Sequence, residues 1–239
     1  MEQSLLDAIA VHAQREYPKE CCGLIVDVQG VQTYRECTNT IPESDDEKTG
    51  PKYNFAIAPE AYADAEDAGE ITHIVHSHPD ASNRPSKEDV ARCNESGLPW
   101  LIMAWPTGDW RIVEPCDPEL IGRDFVLGVY DCYGLVMDYY RRELNIELPD
   151  FRVSYPWWEQ GENLYLDNFA AAGFVEVSSP QKHDVLLMQV QAKVINHAAI
   201  MLDGNTMLHH LYGHKSGRIP YGGYYRERTL KIVRHQSQM

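Results

Sequence analysis

His76 and His78 occupy alternate positions at the end of the stretch HIVHSHP, and Asp89 follows eleven residues after the second imidazole. In an extended strand residues i and i+2 point to the same side, so both rings can aim at one point. Ser86 is a good helix N-cap, and the pattern after it predicts a helix over 87–96 with Asp89 on its first turn. There the chain has folded back and a carboxylate can complete a face. Two neutral nitrogens and one anionic oxygen leave a fourth tetrahedral position for water, the pattern of a catalytic zinc. Such an ion lowers the pKa of its water toward about 7, and a base must then take the proton. Glu20, at the edge of an apolar run, is the candidate. An isolated HxH is more often a surface or core histidine pair; the metal reading rests on the whole set. His73 falls outside it and reads as a strand residue.

A second set lies further along. Cys132 follows Asp131 at the predicted start of a helix whose apolar positions 132, 135, 136, 139 and 140 share one face. At a helix start the free backbone N–H groups and the dipole stabilise a thiolate. His197 opens the predicted strand HAAIML, and His209 lies on the partner strand after an Asp203-Gly204-Asn205 turn. That hairpin can bring His209 behind His197 to orient the ring, as a nucleophile, base and orienting group require. His210 and His214 are alternatives for the third position.

The elements that must position these residues follow from periodicity. Leu5, Leu6, Ile9, Ala10 and Ala13 predict an amphipathic helix ended by Pro18. CCGLIVDV and VQTYREC read as a hairpin about Gln29-Gly30, the first strand apolar enough to be buried on both faces. Residues 43–47 form an acidic loop, YNFAIA a strand, Pro59 opens a helix, ITHIVH is a strand, and WLIMAW pairs with WRIVEP about Thr107-Gly108-Asp109. Between Glu114 and Gly122 the pattern dissolves around two prolines, which sets domains of 1–115 and 116–239. Beyond the Cys132 helix come a Trp-rich loop at 157–158, a helix over 163–172, and the short strands FVEV, VLLMQV, HAAIML and TMLHHL. Both halves read as α+β.

Composition narrows the function classes. A formal charge of −15 and a pI near 5.0 oppose a nucleic-acid or anionic-membrane surface. The one basic region, Arg218 to His235 with Arg226, Arg228, Lys231 and Arg234, reads as a strand with solvated basic neighbours. No apolar run approaches the roughly 18 residues needed to cross a bilayer, so no membrane insertion is expected. The amino terminus is acidic and amphipathic, unlike a signal peptide, which predicts folding in a cytoplasm. Six cysteines without a CxxC pair read as reduced thiols, Cys21 and Cys22 as core.

Glu20, then His76-Ser77-His78-Pro79, ten residues and Asp89 together resemble the JAMM metalloprotease signature. The resemblance implies a cytidine-deaminase-like α/β/α fold with Zn2+ on His76, His78 and Asp89. It also implies Glu20 as general base and Ser86 as a donor to the developing oxyanion. Most of 122–235, through DCYGLVMDYYRRELNIELP, DVLLMQV and NHAAIMLDGNTMLHH, resembles the NlpC family of papain-like cysteine peptidases. That likeness implies Cys132 as nucleophile, His197 as base and His209 as the orienting residue. Two departures concern the oxyanion hole and the cleft. Tyr133 replaces the usual small residue, and Leu120 stands at the spacing of the usual upstream tyrosine. The fusion of the two modules, with the phrase WWEQGENLYLDNFAAAGF, resembles the tail assembly proteins of lambdoid long-tailed phages. It implies a tail tip hydrolase that cuts peptidoglycan stem peptides between γ-D-glutamate and a diamino acid. Other tail tip proteins would be its partners. It would sit in the host cytoplasm during assembly, then at the virion tail tip, acting in the periplasm at genome entry. The competing expectation is a tail plug or assembly factor whose peptidase folds are little used, or a protease that matures another tail protein.

Overall fold

Leu5, Leu6 and Ile9 form the buried stripe of α1 (Gln3–Glu16) in the computed structural model, which describes residues 1–44 and 49–239. The chain separates into two units, Met1–Asp117 and Pro118–Met239.

In the first unit β1 (Cys22–Val28) and β2 (Val31–Cys37) form a hairpin. Its turn is Gln29-Gly30, both at positive φ, the geometry that matches strand twist in a two-residue loop. Then follow α2 (Pro59–Ala68), β3 (Glu70–Pro79), α3 (Lys87–Ser96), β4 (Trp100–Trp105) and β5 (Trp110–Val113). The sheet order is β2-β1-β3-β4-β5, with β3 and β4 parallel across α3 and the other pairs antiparallel. Leu5, Leu6 and Ile9 pack on Ile25, Val75, Leu101 and Met103. On the other face Cys22, Leu24, Ile74 and Trp100 meet Ala65 of α2 and Cys93 of α3. The result is three layers, helix on sheet on helices, and β1 is buried on both faces as its apolar run requires.

The expected strand over 53–58 does not form; a single bridge, Asn39 to Ile57, is all that remains of it. The Asn39 side chain occupies the backbone groups a ladder would use. Its Nδ2 donates to the Glu20 and Asn54 carbonyls at 3.1 and 2.9 Å, and its Oδ1 accepts from the Ile41 and Ala56 N–H groups at 3.1 and 3.2 Å. Most of the expected acidic loop at 43–47 lies outside the described residues, which omit 45–48.

The second unit contains α4 (Cys132–Tyr139), α5 (Leu164–Asn168), β6 (Phe174–Val177), β7 (Val185–Met188), β8 (His197–Leu202), β9 (Thr206–His209), β10 (Gly217–Pro220), α6 (Gly223–Arg228) and β11 (Thr229–His235). Its strands order as β10-β9-β8-β7-β11-β6, all antiparallel. Leu135, Val136, Tyr139 and Tyr140 bring α4 and the π turn after it onto Leu187, Ala198, Ile200 and Leu208. The expected helix over 163–172 stops at Asn168, and the chain then turns through Gly173 at φ 84°. Part of the basic segment is paired within the unit: Arg234 forks onto buried Asp184 at 2.7 and 2.8 Å, Lys231 meets Glu176, and Arg228 lies over the Tyr224 ring, while Arg226 is exposed. Among the described residues no helix is long and apolar enough to cross a membrane.

Candidate active sites

In the first unit β3 lies between β1 and β4, with His76 opposite Cys22 on one side and Ile102 on the other. The alternation of β3 puts His76 and His78 on the face that carries α3. Their Nε2 atoms approach to 3.1 Å, and Asp89 brings one carboxylate oxygen to each, at 3.3 Å from His76 and 3.4 Å from His78. One ligand atom from each of the three lies within 4.8 Å of the others. The ring of His78 is oriented by its Nδ1, which donates to the Ser82 carbonyl at 2.8 Å when it carries the proton, leaving Nε2 as a lone pair. His76 is fully buried and, among the described residues, has no hydrogen-bond partner at Nδ1. Its plane is held instead by Phe55, stacked at 4.6 Å, and by the edge-on Trp100 at 5.4 Å. Two imidazole nitrogens converging on one carboxylate are a donor set that fits a zinc ion.

Asp89 is also the third residue of a capping box: its Oδ2 accepts the Ser86 N–H at 2.7 Å, and Ser86 Oγ accepts the Asp89 N–H at 3.0 Å. The helix start thereby aims the carboxylate, and Ser86 enters the site as that cap. Glu20 sits at the lip of β1, 5% exposed, its carbonyl held by Asn39 and its N–H donating to the Pro51 carbonyl at 2.8 Å. Burial pushes its carboxyl up to about 9, and the charges of Asp89 and Glu88 add to that. Burial would raise Asp89 too, but its bonds to His76 and His78 hold it well below the usual carboxylate range. Burial lowers His76; at His78 the same effect is outweighed by Asp89 and the Ser82 carbonyl, so its pKa lies above the ordinary value.

In the second unit Asp131 caps α4: Oδ1 accepts the Gly134 N–H at 2.8 Å and Oδ2 the Gly128 N–H at 2.9 Å. Cys132 is then the first residue of the helix, facing a cleft of about 550 Å3 walled by Tyr133, Trp157, Trp158 and Tyr165. His197 stands at the start of β8 in the same cleft. Because Ala199 pairs with His209, His197 and His209 are diagonal neighbours on one face, and His197 Nε2 meets His209 Nδ1 at 3.2 Å. His197 Nδ1 is thus the ring nitrogen that His209 does not engage. The Asn196 side chain bonds the Val190 N–H and carbonyl and fixes the strand entrance. Of the alternatives for the third position, His210 is buried edge-on to Phe125 and His214 lies on an exposed loop; neither bonds His197. Burial, then the Asp131 charge, pushes the Cys132 thiol up to about 11. Burial and the neighbouring imidazoles push His197 down to about 3. Both shifts favour the neutral forms of the thiol and the imidazole.

Tyr165 was not among the residues singled out by spacing. Its hydroxyl lies 3.1 Å from Cys132 Sγ, which also lies 3.9 Å from the Asn196 carbonyl. Leu120, at the spacing of the usual upstream tyrosine, packs on the core. Asn39 was likewise missed, although it secures the backbone of Glu20.

The family model for prokaryotic homologs of the JAB domain matches residues 2–114, and that for the NlpC/P60 family matches residues 122–234. Among solved structures, a JAB1/MPN domain protein from Archaeoglobus fulgidus is 23% identical, covering 48% of this chain and 92% of that one with a TM-score of 0.31. An NlpC/P60 family protein from Bacillus cereus is 13% identical, covering 98% of this chain and 66% of that one with a TM-score of 0.33. Tail tip assembly protein K of Escherichia phage lambda is 40% identical over 184 residues, 76% of this chain and 90% of that protein. The same-named protein of Escherichia phage N15 is 50% identical over 240 residues, 99% of this chain and 96% of that protein. With half its residues shared along its whole length, the chain belongs to the tail tip assembly protein K family, a JAB-type domain joined to an NlpC/P60-type domain.

Proposed function

We propose that the protein is a tail tip-associated hydrolase with two peptidase sites, and that its thiol site cuts peptidoglycan stem peptides during genome entry, during tail assembly, or in both. The observation that carries this reading is the cleft lined both by Cys132, at the start of α4, and by His197, which is bonded to His209. His197 takes the thiol proton through Nδ1 while His209 holds Nε2, and the sulfur attacks the amide carbonyl. The leaving amine receives the proton from His197, and water releases the acyl group. The aromatic cleft walls exclude water from the bond under attack, and a peptide with a γ-linked acidic residue is the substrate the family likeness suggests.

In the amino-terminal site His76, His78 and Asp89 would hold zinc. When bound, the ion supplies Lewis-acid polarisation and a water of lowered pKa. The raised Glu20 carboxyl would be drawn back down by the positive charge of a bound ion, and Glu20 would then take a proton. Ser86, beyond its capping bond, would donate its hydroxyl hydrogen to a developing oxyanion. Other tail tip proteins are the proposed partners, and one of them is the alternative substrate of this site.

The reading is tested on purified protein with peptidoglycan, comparing chelation, thiol alkylation, Cys132→Ala and His76→Ala. Soluble peptide fragments that vanish on alkylation and in Cys132→Ala, but survive chelation, are the expected result. Absence of fragments with the unmodified chain would overturn the stem-peptide assignment. Phage carrying Cys132→Ala that assemble and infect normally, while His76→Ala phage do not, would move the function to maturation of a tail protein.

A further inference from the structure

We infer that Tyr165 is a catalytic residue of the thiol site, its hydroxyl donating first to the Cys132 sulfur as it gains charge and then to the oxyanion formed on the attacked carbonyl; this rests on the cysteine peptidase reading above. The contact is direct, 3.1 Å between Oη and Sγ. The sulfur also bonds the Asn196 carbonyl, an acceptor that offers a thiolate nothing, while the backbone at Ala198 and at Cys132 favours the charged sulfur less than Tyr165 does. Asp131 is the adjacent residue, and its charge opposes ionisation of the thiol. Tyr165 is thus the side-chain donor in place to offset two unfavourable neighbours. Its ring is held edge-on by Tyr133 at 6.2 Å and Trp157 at 5.8 Å, so the hydroxyl is preorganised. Burial, with the nearby Cys132 and Asp131, keeps the phenol protonated well above its ordinary range, so it serves as a donor and not as a base.

Once the sulfur bonds the acyl carbon, sulfur and oxyanion share that carbon, and a donor in contact with one is within reach of the other. The electron and proton balance is complete with the groups present. His197 takes the thiol proton, the C–S bond forms, and the carbonyl π pair moves to oxygen, which accepts the Tyr165 hydrogen bond without taking its proton. Collapse reforms the carbonyl and breaks the C–N bond, and the amine leaves with the proton from His197. Water then hydrolyses the thioester and restores the thiol.

The test separates the tyrosine from the peptidase reading. Cys21, Cys22, Cys37 and Cys93 are buried and Cys116 is exposed, so a Cys116→Ser chain leaves Cys132 as the thiol open to reagent. Alkylation of Cys132 by iodoacetamide is followed against pH by mass spectrometry of the peptide that carries it. In Tyr165→Phe the midpoint should move up by about one pH unit, since a hydrogen bond to the charged form is lost. Turnover of a stem peptide should fall about 10²-fold to 10³-fold with KM little changed. Tyr165→His, which keeps a ring donor, should recover part of the shift and serves if the phenylalanine chain does not fold. A profile that superimposes on the parent's, or one that is faster at an unchanged midpoint, would overturn the inference and leave Tyr165 as a cover over the cleft. If the parent chain cleaves no peptide, the peptidase reading fails while the alkylation midpoint still decides the tyrosine.

Discussion

The two candidate sites are assembled from very different lengths of chain. Two of the three donors of the amino-terminal site, His76 and His78, come from one strand, and the third, Asp89, comes from the start of the next helix. The thiol site draws on Cys132, Tyr165, His197 and His209, carried by two helices and two strands. In the first a capping box supports a ligand and aromatic rings flank His76 alone; the second is walled by aromatic rings, and burial shifts Cys132 and His197 toward their neutral forms. Local geometry suffices where adjacent elements carry all the donors. A site enclosed by distant segments depends on packing.

The largest effects test whether the sites are independent. Cys132→Ala should reduce thiol-site turnover by on the order of 10⁴-fold or more, as loss of a nucleophile does elsewhere, and leave zinc binding unchanged by calorimetry. His76→Ala should do the reverse. In the parent chain, zinc at a hundredfold excess over its Kd should stabilise the amino-terminal unit by about 2.7 kcal/mol, read as slowed amide exchange in peptides from 1–117. In His76→Ala that slowing should disappear. Exchange slowed equally in both units would break the comparison.

Arg234→Ala strands the carboxylate of Asp184, 1% exposed at its side chain, and should cost the second unit about 3 kcal/mol by denaturant titration with no change in zinc affinity. Acid should also weaken that unit. Burial holds His197 at about 3 and His209 and His210 at about 4, all below the ordinary histidine value of 6.5. The unfolded chain therefore binds more protons below 6.5, and stability is lost as pH falls from there toward 4. After allowance for solvent screening, about 1 kcal/mol per histidine is expected at pH 5, measured by denaturant midpoints. A midpoint that rises on acidification would contradict the burial of these rings.

The smallest effect is expected from Ser86→Ala. It removes one capping bond but keeps the Ser86 backbone N–H that holds Asp89 Oδ2. About 1 kcal/mol of stability and roughly tenfold in zinc affinity should be lost. An unchanged zinc affinity would confine Ser86 to the helix start.

Much of the fold was legible because most elements carry their own signal. The α1 stripe, the Gln29-Gly30 turn, Pro59 at the start of α2 and Ser86 before α3 each act within a few residues. The errors fell where a distant group competes. The segment 53–58 has strand composition, but Asn39 takes its backbone groups. The apolar residues after Asn168 suit a helix, yet the chain turns at Gly173 to enter β6. Tyr165 had no spacing signal at all, since it lies 33 residues from the sulfur it contacts.

The order of residues alone determined which strand would present paired imidazoles, which helix would begin at a carboxylate and which at a thiol. These are consequences of the two-residue period of a strand and of the free N–H groups at a helix start. Only the folded chain decided that His209 and not His210 backs His197, because cross-strand register selects the face. It alone placed a phenol against the Cys132 sulfur, because contacts between remote segments are set by how whole surfaces fit together and leave no periodic trace.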